Sequence, residues 1–231
     1  MNKAQIVIPC FNEAESLALL FAECQIVVKE SQHSINFILV DNGSTDGTFD
    51  FFEQHKDIDS GVNFLSVTPN RGYGGGIIAG LDSTTSEIVG WTHADLQTPL
   101  TDCIRGVALL VSGNDFVKGS RRGRPFLDRF FSAGMGYLES YLFSRRLKEI
   151  NAQPTIFTKD VYTRWSDIPN DFSIDLYALV MATKDNLRVA RFPVEFLPRI
   201  HGESKWNSGV RDRIRFIRRT IVYSLKLRRN L

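Results

Sequence analysis

The sequence lacks any run of about 18 consecutive apolar residues, the length that a membrane-spanning helix requires. We therefore expect no transmembrane helix. The N-terminal stretch MNKAQIVIPCFNE has one lysine and a short apolar run that soon reaches an acidic residue. This pattern predicts a first β-strand and not a signal peptide. Internal repeats and low-complexity segments are missing as well, which leaves an ordinary globular chain.

Cysteine is scarce, with only Cys10, Cys24 and Cys103 in the chain. Their odd number and irregular spacing argue against a disulfide framework and against a cysteine-based metal site. Buried thiols in a reducing cytosol are the expectation that remains.

The composition is typical of one large α/β domain, with 231 residues, 43% hydrophobic and 23% charged. The net charge of +2 is unevenly distributed, because residues 199–231 carry +8 and residues 1–198 carry −6. A basic tail on an acidic body indicates an anionic partner such as nucleic acid, a membrane surface or a phosphate.

Apolar, β-branched runs alternate with helical patterns along the first half of the chain. The first helix should run from about Glu13 to Glu30, with Asn12 as its N-cap. This alternation predicts a mostly parallel sheet with helices on both faces, and ligands bind such sheets at the carboxyl ends of the strands. The predicted strands are 5–9, 35–41, 62–68, 86–92 and 115–120.

The second half is less regular. It predicts a helix over 126–143, a short strand near 153–158, a helix over 173–183 and a strand over 188–198 that Pro193 breaks. From Ser208 a basic amphipathic helix should run nearly to the end, which divides the chain into a domain of residues 1–207 and a helix of residues 208–231. Its apolar stripe would be Val210, Ile214, Ile217, Ile221 and Leu225.

Acidic and polar side chains follow several predicted strands. Asp41 ends the second strand, where a carboxylate can accept hydrogen bonds from a base or ribose, although a turn Asp that caps the next helix is the alternative. In THADLQTP, after the fourth strand, Asp95 is a hard ligand suited to Mg²⁺ or Mn²⁺. Gln97 would be a second metal ligand or would orient one, and His93 would bind metal, ribose or phosphate. The alternatives are a buried structural histidine at 93 and a helix cap at 95.

The stretch NRGYGGGIIAG is a glycine-rich strand-to-helix turn that could admit a phosphate. Gly74, Gly76 and Ala79 fit a dinucleotide-binding pattern, but that fingerprint usually follows the first strand, so a structural turn remains the alternative. KGSRRGRP places Arg121, Arg122 and Arg124 beyond the fifth strand, as a phosphate clamp or a solvated loop. The basic loop 198–207 would close over a phosphorylated ligand or link to the last helix.

Taken in order, VIPCFNE, LVDNGSTDGT, NRGYGGG, HADLQTP, KGSR and a late GESK resemble the family 2 glycosyltransferases of GT-A fold. The resemblance is strongest to dolichol-phosphate mannosyltransferases and bacterial polyprenyl-phosphate glycosyltransferases. It implies roles for three groups of residues. The donor nucleotide would contact Pro9, Phe11, Glu13, Asp41, Asn70, Gly74, His93 and Ala94. Phosphates would contact Arg121, Arg129, Arg199, Ser204 and Lys205. The metal would contact Asp95, Gln97 and His93, and the catalytic residues would be Asp95, Arg121 and Asp175.

The chain departs from the family pattern at three places. His93 replaces the usual aspartate two residues before the metal carboxylate, and Asn42 replaces a frequent second aspartate. INAQPTIF (150–157) stands where many mannosyltransferases have an SGFR-type segment, which argues against assuming mannose.

The resemblance implies an Mg²⁺- or Mn²⁺-dependent, inverting transfer from a UDP- or GDP-sugar to a polyprenyl phosphate at the cytoplasmic face of the membrane. The terminal helix would contact the membrane surface, and an integral membrane protein is a further candidate partner. Nucleic acid is not expected, because the basic face of that helix alternates with an apolar stripe. A sugar-hydroxyl acceptor, with Asp171 or Asp175 as base, and a family member without catalysis are the alternatives.

Overall fold

The computed structural model describes residues 3–32, 34–123, 126–198 and 210–231, without the side chains of 126–131 and 210–216. The described residues form seven strands and eight helices. The strands are β1 (Ala4–Cys10), β2 (Ile35–Asp41), β3 (Val62–Ser66), β4 (Ile88–Trp91), β5 (Phe116–Arg122), β6 (Thr155–Thr158) and β7 (Val189–Glu195). The helices are α1 (Ala14–Glu30), α2 (Thr48–His55), α3 (Gly72–Ser83), α4 (Asp102–Val111), α5 (Phe126–Phe143), α6 (Lys159–Thr163), α7 (Ile174–Lys184) and α8 (Val210–Asn230).

The strands form one sheet in the order β3-β2-β1-β4-β6-β5-β7. All neighbouring pairs are parallel except those of β6, which runs antiparallel to β4 and to β5. The predicted mostly parallel sheet is therefore confirmed. The antiparallel β6 has a consequence for the site, because its N-terminal end lies at the edge where β4 and β5 have their carboxyl ends.

Side chains alternate between two apolar cores, one on each face of the sheet. Ile6 and Ile8 of β1 pack with α1 and α4 on one face, while Val7 packs with α3 and α7 on the other. A strand with both faces buried reads as a continuous apolar run, which is why QIVIP indicates a central strand.

Pro193 lies inside β7 and does not break it. β7 is the last strand of the sheet and pairs with β5, so Pro193 occupies an edge strand, where the missing backbone N–H is tolerated.

Helix α8 packs against α5. Its described side chains place Ser224 and Leu227 in the buried face, whereas Leu225 is exposed. Of the predicted apolar stripe, Ile217 and Ile221 are half-buried and Leu225 is exposed. The predicted domain boundary at 207 lies outside the described residues. Within the described ranges, none of the helices is long and apolar enough to cross a bilayer.

Candidate active site

Two loops at the carboxyl edge of the sheet are joined by hydrogen bonds. The backbone N–H groups of Asn12, Glu13 and Ala14 donate to Ser44 Oγ (3.0 Å), Thr48 Oγ1 (3.1 Å) and Asp46 Oδ2 (3.0 Å), in that order. The start of α1 is thus satisfied by side chains from the loop after β2. The predicted N-cap, Asn12, is wrong by one residue, because Glu13 occupies the N-cap position and Oδ1 of Asn12 accepts from Thr45 N (2.8 Å).

Asp41 and Asn42 fasten the end of β2. Asp41 is buried, and its Oδ1 accepts from Ser44 N at 3.0 Å. The Asn42 amide donates to Gly72 O (2.8 Å) and accepts from Arg71 N (3.0 Å), which ties this loop to the glycine-rich turn. An aspartate at position 42 would have no N–H for the first bond, which accounts for the asparagine.

The other nucleoside candidates surround this point. Phe11 is exposed and Pro9 is half-buried beside Gly76. Glu13 accepts from Ser16 Oγ (3.0 Å), and Asn70 is exposed with Oδ1 accepting from Gly72 N (2.7 Å).

The glycine-rich turn approaches protein backbone. Gly72 has φ +80°, and a Cβ there would overlap the carbonyl oxygen of Asn170. A Cβ at Gly74 would overlap the carbonyl oxygen of Pro169, and Gly75 N donates to Asn170 O at 3.0 Å. These contacts favour the alternative of a structural turn at these glycines, and the contact of Gly74 with a donor nucleotide stays a prediction.

The loop after β4 is tightly held. Leu96 is buried with φ +54°, a backbone conformation that a leucine adopts only when its surroundings impose it. Beside it, Ala94 is buried and Asp95 Oδ1 accepts from Gln97 N at 3.2 Å. Asp95 Oδ2 lies 3.9 Å from Nδ1 of His93, so the carboxylate and the imidazole are adjacent without a hydrogen bond.

Gln97 bridges this loop to the segment after β7. Its Nε2 donates to Leu197 O (3.0 Å), and its backbone carbonyl oxygen accepts from Leu197 N (2.7 Å). These contacts favour a bracing role for Gln97 over the predicted role of metal ligand.

Asp95 and His93 suit a divalent cation that takes its other ligands from a diphosphate. Mg²⁺ is commonly bound through one or two carboxylates plus substrate phosphates. Across the described residues, no group of three or more His, Cys, Asp or Glu side chains could hold a metal by itself. Asp95 offers a carboxylate, and His93 Nε2 is a buried nitrogen without a hydrogen-bond partner in the described part of the chain. The donor set therefore fits a cation shared with a bound substrate.

On the other side of the edge, Arg121 at the end of β5 pairs with Glu149. Nε of Arg121 lies 3.0 Å from Glu149 Oε2, and the guanidinium carbon lies 5.8 Å from the ring centre of Phe196. The pair borders a cavity of about 880 Å³ whose lining also includes Arg145, Arg146 and Lys148. Four cationic side chains against one carboxylate favour an anionic ligand in this cavity.

Beneath these residues lies a buried ion pair between Lys118 and Asp175, with side chains 0% and 1% exposed and a separation of 3.3 Å. Lys118 also donates to Thr155 Oγ1 (2.7 Å). Asp175 Oδ1 accepts in addition from Gln153 Nε2 (2.8 Å) and Trp91 Nε1 (3.3 Å). Burial lowers the pKa of Lys118 to about 8, and the charge of Asp175 opposes that shift.

Several predicted phosphate ligands lie outside the described residues, namely Arg124, Arg199, Ser204 and Lys205, as does the side chain of Arg129. The described candidates divide into a group at the ends of β1, β2 and β4 and a second group at the end of β5.

A family model described as Glycosyl transferase family 2 matches residues 5–163, which include the β1, β2, β4 and β5 ends. The chain belongs to glycosyl transferase family 2. The predicted family is thereby confirmed.

Two curated relatives match this family 2 glycosyltransferase over different shares of its length. A protein of Proteus mirabilis named undecaprenyl-phosphate 4-deoxy-4-formamido-L-arabinose transferase is 34% identical over 126 residues, 54% of this chain and 38% of its own length. The chain thus spans little more than a third of that relative. An uncharacterised glycosyltransferase of Mycobacterium bovis is 28% identical over 216 residues, 90% of this chain and 92% of its own.

Among solved structures, glucosyl-3-phosphoglycerate synthase from Mycobacterium tuberculosis has a TM-score of 0.73 at 18% identity, and the match covers 98% of this chain and 80% of the synthase chain. That crystal structure contains Mn²⁺, uridine diphosphate and glucosyl-3-phosphoglycerate. The likeness confirms the predicted GT-A fold.

Several polar residues of this glycosyltransferase were not anticipated from the sequence. Lys118 interrupts an apolar strand, and that interruption was the available signal for a buried charge. Gln153 and Thr155 belong to the INAQPTIF segment, whose departure from the family pattern pointed to them without indicating their contacts. Glu149 follows the basic run SRRLK, from which the cationic cavity could have been anticipated.

Helices α5 and α8 share a buried polar contact. Glu139 of α5 accepts from Ser224 Oγ at 2.8 Å, and burial raises the pKa of Glu139 to about 7. Their outer surfaces expose large apolar side chains. These are Tyr137, Tyr141, Val222 and Leu225.

Proposed function

We propose that this chain transfers a sugar from a nucleotide-sugar donor to a polyprenyl phosphate at a membrane surface, with inversion at the anomeric carbon and with Mg²⁺ or Mn²⁺ bound. The observation that carries the proposal is the division of charge along one sheet edge. Asp95 stands at the end of β4, and Arg121 stands with a cationic cavity at the end of β5. The family and the name of the Proteus relative support the same reaction.

On the donor side, Asp41, Pro9 and Phe11 would hold the nucleoside, and Asp95 with His93 would hold the cation. When bound, that cation neutralises charge on the leaving diphosphate. The loop around Leu96 is braced by its own burial and by Gln97, so the Asp95 carboxylate is held ready before the donor arrives.

On the acceptor side, Arg121 would orient the attacking phosphate. A phosphate monoester is largely ionised at pH 7, since its second pKa is about 6, so this acceptor requires no general base. A sugar hydroxyl would require one, and Asp175 is buried and bonded to three donors. The other candidate base, Asp171, has its Oδ2 3.4 Å from Nε of Arg219. These environments favour the phosphate acceptor. In-line attack by a single nucleophile inverts the anomeric centre.

The membrane surface enters through α5 and α8. On α8 the exposed Val222 and Leu225 alternate with Arg218 and Arg229 along one stripe. Apolar side chains can enter the headgroup region while each nearby cation adds about 1 kcal/mol on an anionic leaflet. The phosphate of a polyprenyl acceptor would lie at the same depth.

The test incubates the chain with radiolabelled UDP- and GDP-sugars, Mn²⁺ or Mg²⁺, and a polyprenyl phosphate in vesicles. Organic-extractable label is expected with one donor, and free prenol without the phosphate is the control acceptor. Absence of such label with every donor contradicts the proposal, and label on a glycan instead identifies the hydroxyl-acceptor reaction.

The metal is tested separately by calorimetry of UDP and GDP binding with and without Mn²⁺. Asp95→Asn should remove the Mn²⁺ dependence of binding. Tight, metal-independent nucleotide binding without transfer would instead identify a family member that has lost catalysis.

A further inference from the structure

The buried group of Trp91, Lys118, Gln153, Thr155 and Asp175, here called the floor network, links the two halves of the site. Trp91, Thr155, Lys118 and Arg191 occupy one row across β4, β6, β5 and β7, since each is the paired residue of the next. Asp175 of α7 covers this row and accepts from two of its members. The network thus joins three neighbouring strands and a helix.

The row lies just below the residues proposed for chemistry. Trp91 precedes His93 by two residues and Asp95 by four, and Lys118 precedes Arg121 by three. The strand between them, β6, is antiparallel, so its first residues reach the same edge. In addition to the backbone pairing of β6 with β4 and with β5, side-chain bonds through Thr155 and Asp175 therefore connect the ends of β4 and β5.

Apolar packing alone could have filled this space. A buried ion pair gains little stability over well-packed apolar residues of similar volume, because desolvation offsets its attraction. Charges and directed hydrogen bonds instead fix one defined arrangement of the strands and the helix that carry them. Trp91 and Lys118, which donate to Asp175, are each fixed on a strand, so a shift of β5 against β4 would break several bonds together.

We propose that Lys118 and Asp175 are positioning residues for the sugar transfer, which hold Asp95 in the loop after β4 and Arg121 at the end of β5 at their working separation. This inference rests on the proposed function, and it gives Asp175 a role other than the predicted catalytic one. It also assigns a purpose to the INAQPTIF segment, since Gln153 and Thr155 complete the network.

The test uses Lys118→Met, Asp175→Asn and the two combined. The combined variant removes both charges, while the amide oxygen introduced at position 175 can still accept from Trp91 and Gln153. Each single variant should melt at a lower temperature than the parent. The combined variant should recover most of that loss, retain UDP and Mn²⁺ binding within about twofold, and transfer at least about tenfold more slowly in kcat.

A second readout does not depend on activity. Nitroxide labels on Thr101→Cys and Arg122→Cys report the distance between the β4 and β5 sides, because the native cysteines are buried. The combined variant should broaden or shift the distance distribution. An unchanged distribution with a parental kcat overturns the positioning role, whereas a parent that transfers no sugar contradicts the proposed function alone.

Two further variants guard against a folding defect. Thr155→Val keeps both charges and removes the hydroxyl that accepts from Lys118, so it should reduce kcat and lower the melting temperature less than Lys118→Met does. A parental kcat would count against the network. Tyr162→Phe is the matched control. It removes a buried hydroxyl that donates to Asp82 at a distance of 2.5 Å. This contact lies away from the site, so the variant should leave kcat unchanged.

Discussion

Strand β5 carries two ion pairs three residues apart, and they differ in almost every respect except charge. Lys118 and Asp175 are 0% and 1% exposed and share their hydrogen bonds with three further residues. Arg121 and Glu149 are 11% and 27% exposed and border an open cationic cavity. One pair is enclosed on all sides, and the other faces the space that a ligand would occupy.

The difference assigns the two pairs to different tasks. Loss of one partner in an enclosed pair leaves an uncompensated buried charge, so the pair cannot exchange partners during a reaction. A pair at a cavity can exchange its carboxylate for a phosphate, because both present oxygens to the same guanidinium. The first pair therefore suits a fixed geometry and the second suits ligand binding.

The largest effect is expected from Lys118→Met alone. Asp175 would keep its charge in an apolar interior, and the free energy of unfolding should fall by about 3–5 kcal/mol. Urea denaturation of the whole chain measures the change. A loss below about 1 kcal/mol would mean that the Lys118–Asp175 pair stabilises the fold no more than an exposed ion pair does. That result would contradict the distinction between the two pairs.

Arg121→Ala should give the opposite pattern. Loss of a cation that stabilises charge in the reaction costs about 2.7–4 kcal/mol in kcat, or about 10²- to 10³-fold. Its unfolding free energy should change far less than that of Lys118→Met. Arg164→Ala is the control, because Arg164, just after α6, is an exposed arginine that pairs with Asp160. Equal losses of stability in the variants of Lys118 and Arg121 would erase the distinction between the pairs.

The two pairs also differ in how far the sequence predicts them. Asp41, Asp95 and Arg121 follow apolar strands, and the alternation of strands and helices brings such ends to one edge, so these residues are predictable. The contacts of Lys118 depend on β6, which lies between β4 and β5 and runs antiparallel to both. Strand order depends on long-range packing, so a local sequence pattern does not predict it.

The glycine-rich turn and Gln97 illustrate the same limit at single residues. Glycine admits any close neighbour, and only the folded chain reveals that Asn170 and Pro169 are the neighbours of Gly72 and Gly74. A glutamine near a carboxylate fits the role of a metal ligand and that of a structural contact equally well in the sequence. Only the hydrogen bond of Gln97 to Leu197 in the folded chain favours the structural role.

A third prediction uses the pH dependence of stability. The pKa of Lys118 is lowered by burial to about 8, below its ordinary value of 10.5. Between these values the unfolded chain binds more protons than the folded chain, so this group makes stability rise with pH, with a slope that approaches about 1.4 kcal/mol per pH unit. The parent minus Lys118→Met difference in unfolding free energy should show that slope between pH 8 and 10.5. A flat difference would place Lys118 in a solvated environment.

Glu149→Gln should have the smallest effect on stability. It also tests most directly whether a phosphate replaces the Glu149 carboxylate as the partner of Arg121. The unfolding free energy should change by less than about 1 kcal/mol, as for other partly exposed pairs. Arg121 would lose its resident carboxylate, so a phosphate acceptor would no longer compete with it, and the acceptor KM should fall about threefold with the donor KM unchanged.

Asp115→Asn is the matched control for Glu149→Gln, because Asp115 pairs with Arg188 at 3.0 Å on the exposed surface. It should leave both KM values unchanged. A rise in the acceptor KM of Glu149→Gln would have a clear physical meaning. The carboxylate would then orient Arg121 for the acceptor, and both ion pairs of β5 would serve geometry.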